Sequence, residues 1–201
     1  MEKIKRKVAA FDFDGTLTHH DSLPRFIRFV RGPRAYYQGL LALSPMLVAY
    51  KLGWISNSRA KERLFSHFFR GIPEFAFREL GRQFASEIEK DVRADVVAAL
   101  RQRKVEGCRV YVVSASIEDW VAPWCLAAGA DEVLATQVEI GVDKRLTGRF
   151  STPNCYGTEK VRCILEREPE RDSYKLYAYG DSRGDKELLA FADYPNYVGR
   201  G

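Results

Sequence analysis

Short apolar runs and longer amphipathic stretches alternate through much of this chain. The runs at residues 8–11, 110–113 and 176–179 are rich in valine and aromatic residues, and each predicts a buried strand. Between the first two runs, Val96 and Leu100 lie at helical spacing, which predicts a helix before the second strand. This alternation predicts an α/β fold with a doubly wound parallel sheet. Four smaller elements are also predicted: a helix holding Trp120 and Trp124, a strand at 133–136, a hairpin at 138–149 and a final strand at 194–198.

The segment between the first two strands is about ninety residues long, which is too long for a loop in a compact domain. Its apolar residues recur at helical spacing, for example at Phe26, Phe29 and Val30. We therefore predict an inserted all-helical module, the cap, over residues 18–95. Residues 1–17 and 96–201 are predicted to form the core.

Composition and charge are those of a globular protein. The 201 residues are 46% hydrophobic and 29% charged, enough for one core and a small module. The net charge of +5 raises nucleic acid or anionic membrane as partners, but we expect no nucleic acid because no such motif accompanies the charge. The four cysteines lack C-x-x-C spacing and no signal peptide precedes the first strand, so a cytoplasmic location is predicted.

An uncharged segment covers residues 35–50 of the predicted cap. We interpret it as ordinary cap helices packed together. An interfacial or acyl-chain-binding surface is the second interpretation, and Arg25, Arg28 and Arg31 just before it would form a basic helix face that suits anionic lipid. A membrane span is the third interpretation, and it is disfavoured because Gly39, Pro45 and Lys51 interrupt the apolar segment.

Candidate chemistry lies where the predicted strands end. The first strand ends on Asp12 and Asp14 in the sequence D-F-D-G-T-L-T, and the second ends on Ser114. Lys160 lies near the start of a later helical stretch, and the strand at 176–179 leads into Gly180-Asp181-Ser182-Arg183-Gly184-Asp185. Side chains at the carboxyl edge of a parallel sheet converge on one crevice, and paired carboxylates there suit metal and phosphate chemistry.

These four motifs, in this order, resemble those of the haloacid dehalogenase-like (HAD) superfamily, in the phosphoserine-phosphatase-like branch with a helical cap. The resemblance implies a phosphatase with bound Mg²⁺. Its metal ligands would be the Asp12 and Asp181 side chains and the Asp14 backbone carbonyl, with Asp185 reaching the ion directly or through water. Hard oxygen ligands of this kind are those that Mg²⁺ prefers.

The resemblance also implies the catalytic roles. Asp12 would attack phosphorus to form an aspartyl-phosphate, and Asp14 would act as general acid and then general base. Ser114 and Lys160 would bind the transferring phosphate and stabilise its charge.

The substrate-binding residues implied by the resemblance are Asp21, Arg63, Ala115, Ser114 and Lys160. Asp21 lies where phosphoserine phosphatases carry a glutamate. Arg63 matches one arginine of a pair in those enzymes, while a phenylalanine replaces the other, and the residues after Ser114 are not the usual paired glycines. We therefore expect a phosphate monoester of a small metabolite, and these departures weigh against phosphoserine as that substrate.

Two alternatives remain open. One is the same chemistry on a lipid phosphate, as in the phosphatidylglycerophosphatases of this superfamily, which would require a membrane surface as partner. The other is phosphoryl transfer to an acceptor alcohol, or a non-catalytic protein that keeps the fold. The sequence leaves the oligomeric state open.

Overall fold

Seven strands make two sheets in the computed structural model, which describes residues 5–199. The strands are β1 (Arg6–Phe11), β2 (Arg109–Ile117), β3 (Glu132–Thr136), β4 (Val138–Ile140), β5 (Leu146–Phe150), β6 (Tyr174–Gly180) and β7 (Tyr194–Tyr197). Five of them form a sheet in the order β3-β2-β1-β6-β7, and all its neighbouring pairs are parallel. Residues 1–4 and 200–201 of the predicted core lie outside the described residues.

The helices are α1 (Ser22–Ala42), α2 (Ser44–Lys51), α3 (Asn57–Phe69), α4 (Glu74–Glu89), α5 (Ala94–Val105), α6 (Glu118–Ala128), α7 (Thr158–Arg167) and α8 (Lys186–Phe191). Of these, α5 and α6 pack on one face of the sheet, and α7 and α8 pack on the other. Alternate residues of β1 belong to different apolar clusters, because successive side chains of a strand point to opposite faces. Val8 and Ala10 lie in the cluster that includes α7 and α8, whereas Ala9 and Phe11 lie in the cluster that includes α5 and α6. The predicted doubly wound parallel sheet is thus confirmed.

The insertion between β1 and β2 contains α1 to α4. Its two ends run side by side, since the Arg93 N–H donates to the Leu17 carbonyl (2.8 Å) and Thr18 forms a bridge with Val92. The next helix, α5, starts at Ala94, two residues before the predicted start of the second core segment. Gly32, at a φ of +77°, interrupts α1 just before Pro33. Over residues 5–199, no helix is both long enough and apolar enough to cross a membrane.

The cap is joined to the core by packing and by hydrogen bonds. Phe26 of α1 stacks on Trp120 of α6 with ring centroids 4.5 Å apart, inside an apolar cluster shared by cap and core. The predicted hairpin is present as the antiparallel pair of β4 and β5. Its Leu146 N–H donates to the Ile72 carbonyl (2.9 Å), and the Gly71 N–H donates to the Leu146 carbonyl (2.8 Å). The cap therefore lies over the carboxyl edge of the sheet with contacts on two sides.

Candidate active site

The candidate site lies where the chain changes direction across the sheet. From β1 the chain continues to β2 and β3 on one side, and later returns to β6 and β7 on the other. Asp12 directly follows β1 and Asp181 directly follows β6, which is the neighbouring strand. A crevice forms at such a reversal, because the two connections leave the sheet on opposite faces.

Three carboxylates and one ammonium meet in this crevice. Asp12, Asp181 and Asp185 are all buried, and one oxygen of each lies within 4.8 Å of the others. Lys160, from the first turn of α7, places its Nζ 2.5 Å from Asp12 Oδ1 and 2.5 Å from Asp185 Oδ1. The predicted metal side chains and the predicted lysine are therefore brought together.

The charges of this cluster are unbalanced. Burial raises the pKa of Asp12 to about 7, although Lys160 offsets part of that effect. Burial also lowers the pKa of the Lys160 ammonium, but Asp12 and Asp185 raise it by more, so the net pKa is above the usual range. When ionised, three carboxylates face one ammonium and leave two negative charges in excess. A divalent cation with a preference for oxygen ligands fits this site.

Neighbouring residues hold the carboxylates in place. Asp185 Oδ2 accepts hydrogen bonds from the Ser182 N–H (3.0 Å) and hydroxyl (2.8 Å), and Thr16 Oγ1 donates to Asp181 Oδ1 (3.2 Å). Gly15 has a φ of +82°, and a Cβ at this position would lie 2.5 Å from Asp181 Oδ2. Only glycine suits both that backbone conformation and that space.

Asp14 has a different environment from the cluster. Its Oδ1 accepts from the Ser22 N–H (2.7 Å) at the start of α1, and its Oδ2 accepts from the Ser116 hydroxyl. Trp120 Nε1 in turn donates to Ser22 Oγ (3.0 Å), which fixes that serine. Burial raises the pKa of Asp14, while these hydrogen bonds lower it by less. The Asp14 side chain is therefore anchored by the cap helix and by β2, apart from the other three carboxylates.

A pocket of about 470 Å³ opens above these groups. The predicted residues Asp21, Ser114, Ala115 and Lys160 all line it, together with Asp12 and Asp14.

Arg63 is the predicted substrate-binding residue that the structure does not bring to the pocket. It is exposed on α3, whose pocket-lining side chains are Asn57, Ala60, Lys61 and Leu64. Two residues correspond to about 200° around a helix, so Arg63 points away from the face that carries Lys61.

Lys61 is a pocket-lining residue that was not predicted from the sequence. Its Nζ donates to the Ala115 carbonyl and lies 3.4 Å from Asn154 Oδ1. Burial lowers the pKa of Lys61 to about 8. The helical spacing of Lys61 and Leu64 was the available signal, because residues three apart share one helix face. Ser22 and Ser116 were likewise missed as partners of Asp14.

Comparisons with known proteins agree with this geometry. A family model described as haloacid dehalogenase-like hydrolase matches residues 9–190. Protein CicA of Caulobacter vibrioides is 35% identical over 192 residues, which cover 94% of this chain and 85% of CicA. A solved Bordetella pertussis protein of unknown function has a TM-score of 0.80 at 22% identity, over 97% of this chain and 90% of that one. A substrate-bound phosphoserine phosphatase has a TM-score of 0.67 at 19% identity, over 94% of this chain and 84% of that one. The last two likenesses show the fold.

Proposed function

The chain belongs to the haloacid dehalogenase-like hydrolase family, and from this premise we propose that it is a Mg²⁺-dependent phosphatase. It hydrolyses a phosphate monoester of a small metabolite through an aspartyl-phosphate intermediate. The observation that carries the proposal is the separation of two aspartates only two residues apart. Asp12 lies in the carboxylate cluster with Lys160, whereas the Asp14 side chain is held by Ser22 and Ser116.

In the first step, an Asp12 carboxylate oxygen attacks phosphorus and the bond from phosphorus to the leaving alcohol oxygen breaks. Asp14 gives its proton to that oxygen, so the alcohol leaves neutral. A carboxyl group whose pKa is raised by burial suits this role, because it holds its proton closer to neutral pH. Lys160 orients Asp12 and offsets charge on the phosphoryl oxygens.

In the second step, Asp14 removes a proton from a water molecule. The water oxygen attacks phosphorus, the bond from phosphorus to Asp12 breaks, and inorganic phosphate forms, with Asp12 again a carboxylate and Asp14 again protonated. The same residue thus serves as acid and then as base, because the first step leaves it deprotonated and ready to accept a proton.

Mg²⁺ would be held by the Asp12 and Asp181 side chains, with the Asp14 backbone carbonyl and Asp185 as the further predicted ligands. When bound, it supplies charge compensation between the anionic phosphate ester and the anionic nucleophile. The fit rests on the two negative charges in excess around Lys160 and on the all-oxygen donor set.

The residues that line the pocket indicate what kind of substrate to expect. Ser114, Lys160, Lys61 and Asp21 all line the pocket. Ser114 and Lys160 would bind the phosphate, and Lys61 and Asp21 would offer one positive and one negative group to the leaving alcohol. A lipid phosphate is the second candidate substrate. It is favoured by one observation, the apolar cap side of the pocket, which is lined by Leu23, Pro24, Leu47 and Leu64.

The test is phosphate release from a panel of esters by the wild type, with Asp12→Asn as blank and inorganic phosphate as readout. The panel contains phosphoserine, sugar phosphates, nucleotides and a micellar phosphatidylglycerophosphate. We expect one ester to exceed the rest by orders of magnitude in kcat/KM, loss of turnover in EDTA and recovery with Mg²⁺. Release of phosphate without an acceptor alcohol separates hydrolysis from transfer. Normal turnover by Asp12→Asn, or full activity in EDTA, contradicts the proposal.

We also infer a cytoplasmic location from the cysteines. All four are free thiols, and the closest described pair, Cys155 and Cys163, has its sulfur atoms 3.8 Å apart without a bond. Reduced, mostly buried thiols are typical of proteins kept in a reducing compartment. Fractionation of cells that express the chain at native level, followed by thiol labelling under denaturing conditions, tests this inference.

A further inference from the structure

The first half of the cap has an unusual charge pattern. Residues 22–61 contain seven lysines and arginines and no aspartate or glutamate. This segment therefore carries +7, while the whole chain carries +5, so the rest of the chain is net negative. The net positive charge of the protein is therefore concentrated in this stretch of forty residues, because the stretch contains no acidic residue.

Several of these positive side chains are available to a partner. Arg28, Arg34, Lys51 and Arg59 are exposed. Within residues 5–199, none of the four forms an ion pair with a carboxylate inside 4 Å. By contrast, Arg25 is engaged with Asp91. The exposed basic residues of this segment thus have no acidic neighbour that neutralises them.

The same segment exposes large apolar side chains. We call the residues Tyr37, Leu41, Val48, Leu52 and Trp54 the cap-tip patch; they lie on the last turns of α1, on α2 and on the turn that follows it. Trp54 is 79% exposed and Leu41 is 76% exposed. Backbone hydrogen bonds fix the turn, since the Trp54 N–H donates to the Ala49 carbonyl and the Leu52 N–H to the Val48 carbonyl (2.9 Å each). Exposed large apolar side chains held in one fixed segment are typical of an interaction site.

We propose that the cap-tip patch docks on an anionic lipid surface. Trp54, Leu41 and Leu52 would enter the interface between headgroups and acyl chains, and Lys51 and Arg59 would face the anionic headgroups. Exposed tryptophan and leucine beside unpaired lysine and arginine is the combination that suits an anionic interface. A second copy of the chain fits less well, because it would bring two segments of +7 together.

Docking through this patch has a consequence for the active site. Leu47 and Tyr50, on the same helix as Val48, line the active-site pocket. Docking would therefore bring the helix that lines one side of the pocket onto the lipid surface. The docking inference does not depend on which ester is hydrolysed, because it concerns the outer face of α2.

The experiment measures binding of the full chain to sonicated vesicles at low salt, either phosphatidylcholine alone or phosphatidylcholine with phosphatidylglycerol. We expect co-sedimentation with the anionic vesicles only, and loss of binding as salt rises. Leu41→Ser/Trp54→Ser should weaken binding at least about tenfold. The matched control is Val105→Ser/Val142→Ser, which removes two equally exposed apolar residues that are each followed by an acidic residue, and it should bind like the wild type.

Tryptophan fluorescence gives a second readout that reports on position. Trp120 and Trp124 are buried, so Trp54 is the exposed tryptophan of the three. A blue shift of emission on anionic vesicles, absent in Trp54→Phe although that variant still sediments, places Trp54 in the interface. Circular dichroism and turnover of a soluble ester verify that each variant is folded.

Three results overturn the proposal. One is absence of binding to anionic vesicles at low salt. Another is equal loss of binding in the control pair. The third is concentration-dependent association without lipid that disappears in Leu41→Ser/Trp54→Ser, which would show that a second copy covers the patch.

Discussion

Replacing Asp12, the proposed nucleophile, should make the metal-free protein more stable while it abolishes turnover. Asp12 is buried among two other carboxylates, and Lys160 is shared between it and Asp185. Asp12→Asn keeps the shape of the side chain and an oxygen for Lys160, but it removes one buried negative charge. The remaining Asp185 still pairs with the lysine, so no buried ammonium is left alone.

The size of the effect follows from the pKa of Asp12. Burial raises that pKa from 3.8 to about 7 in the folded protein. The folded state therefore binds more protons than the unfolded state between about pH 4 and pH 7, and stability is lost as pH rises through this window. At about 1.4 kcal/mol per pKa unit, the loss amounts to about 4 kcal/mol by pH 8. The amide introduced by Asp12→Asn cannot ionise, so the variant avoids that loss.

The assay is urea unfolding in EDTA at pH 8 and at pH 4, with the free energy of unfolding obtained by linear extrapolation. We expect Asp12→Asn to exceed the wild type by about 4 kcal/mol at pH 8, and the two to agree at pH 4. Asp95→Asn, which changes an exposed carboxylate, should differ from the wild type by no more than about 0.5 kcal/mol at either pH. A destabilised Asp12→Asn at pH 8, or a gain of equal size at both pH values, refutes the reasoning.

Three further predictions concern other parts of the molecule. Asp193→Asn should lower the free energy of unfolding, measured in urea, by about 1 kcal/mol at pH 7 and by less at pH 3. A backbone N–H of β6 and Lys175 hold the pKa of Asp193 well below 3.8 despite partial burial, so its contribution is lost as pH falls. Gly81→Ala should lower the free energy of unfolding, measured by thermal unfolding, by about 1–3 kcal/mol. The new Cβ would lie 2.1 Å from the Asp119 carbonyl oxygen, where α4 meets α6. Lys61→Met should raise KM for the best ester about tenfold or more with kcat little changed, and an unchanged KM contradicts its place in the pocket.

Three residues at the edge of the sheet could be predicted because their position depends on local pattern and one general rule. Asp12, Ser114 and Asp181 each follow a short apolar run, and parallel strands end at one edge of a sheet. The predicted end of the second strand at Ser114 was wrong, since β2 continues to Ile117 after a register shift in its pairing with β3. The glycine of the D-G-T turn also has a local reason, since its φ of +82° is a backbone requirement. The fold class followed from the same alternation of runs and amphipathic stretches, and the structure confirms it.

The cap side of the pocket could not be predicted in the same way, because it depends on helix phase and on contacts between distant segments. The resemblance to phosphoserine phosphatases assigned Arg63 to the substrate, but a shift of two residues moves a side chain about 200° around α3, and Lys61 faces the pocket instead. Ser22 and Ser116 are 94 residues apart, yet their hydroxyls lie 2.8 Å from each other beside Asp14. The sequence pattern of neither segment predicts this contact, because the contact forms only when α1 packs on the end of β2. The position of the residues at the edge of the sheet is therefore fixed by the core, whereas the residues that line the cap side of the pocket depend on how the insertion folds back over it.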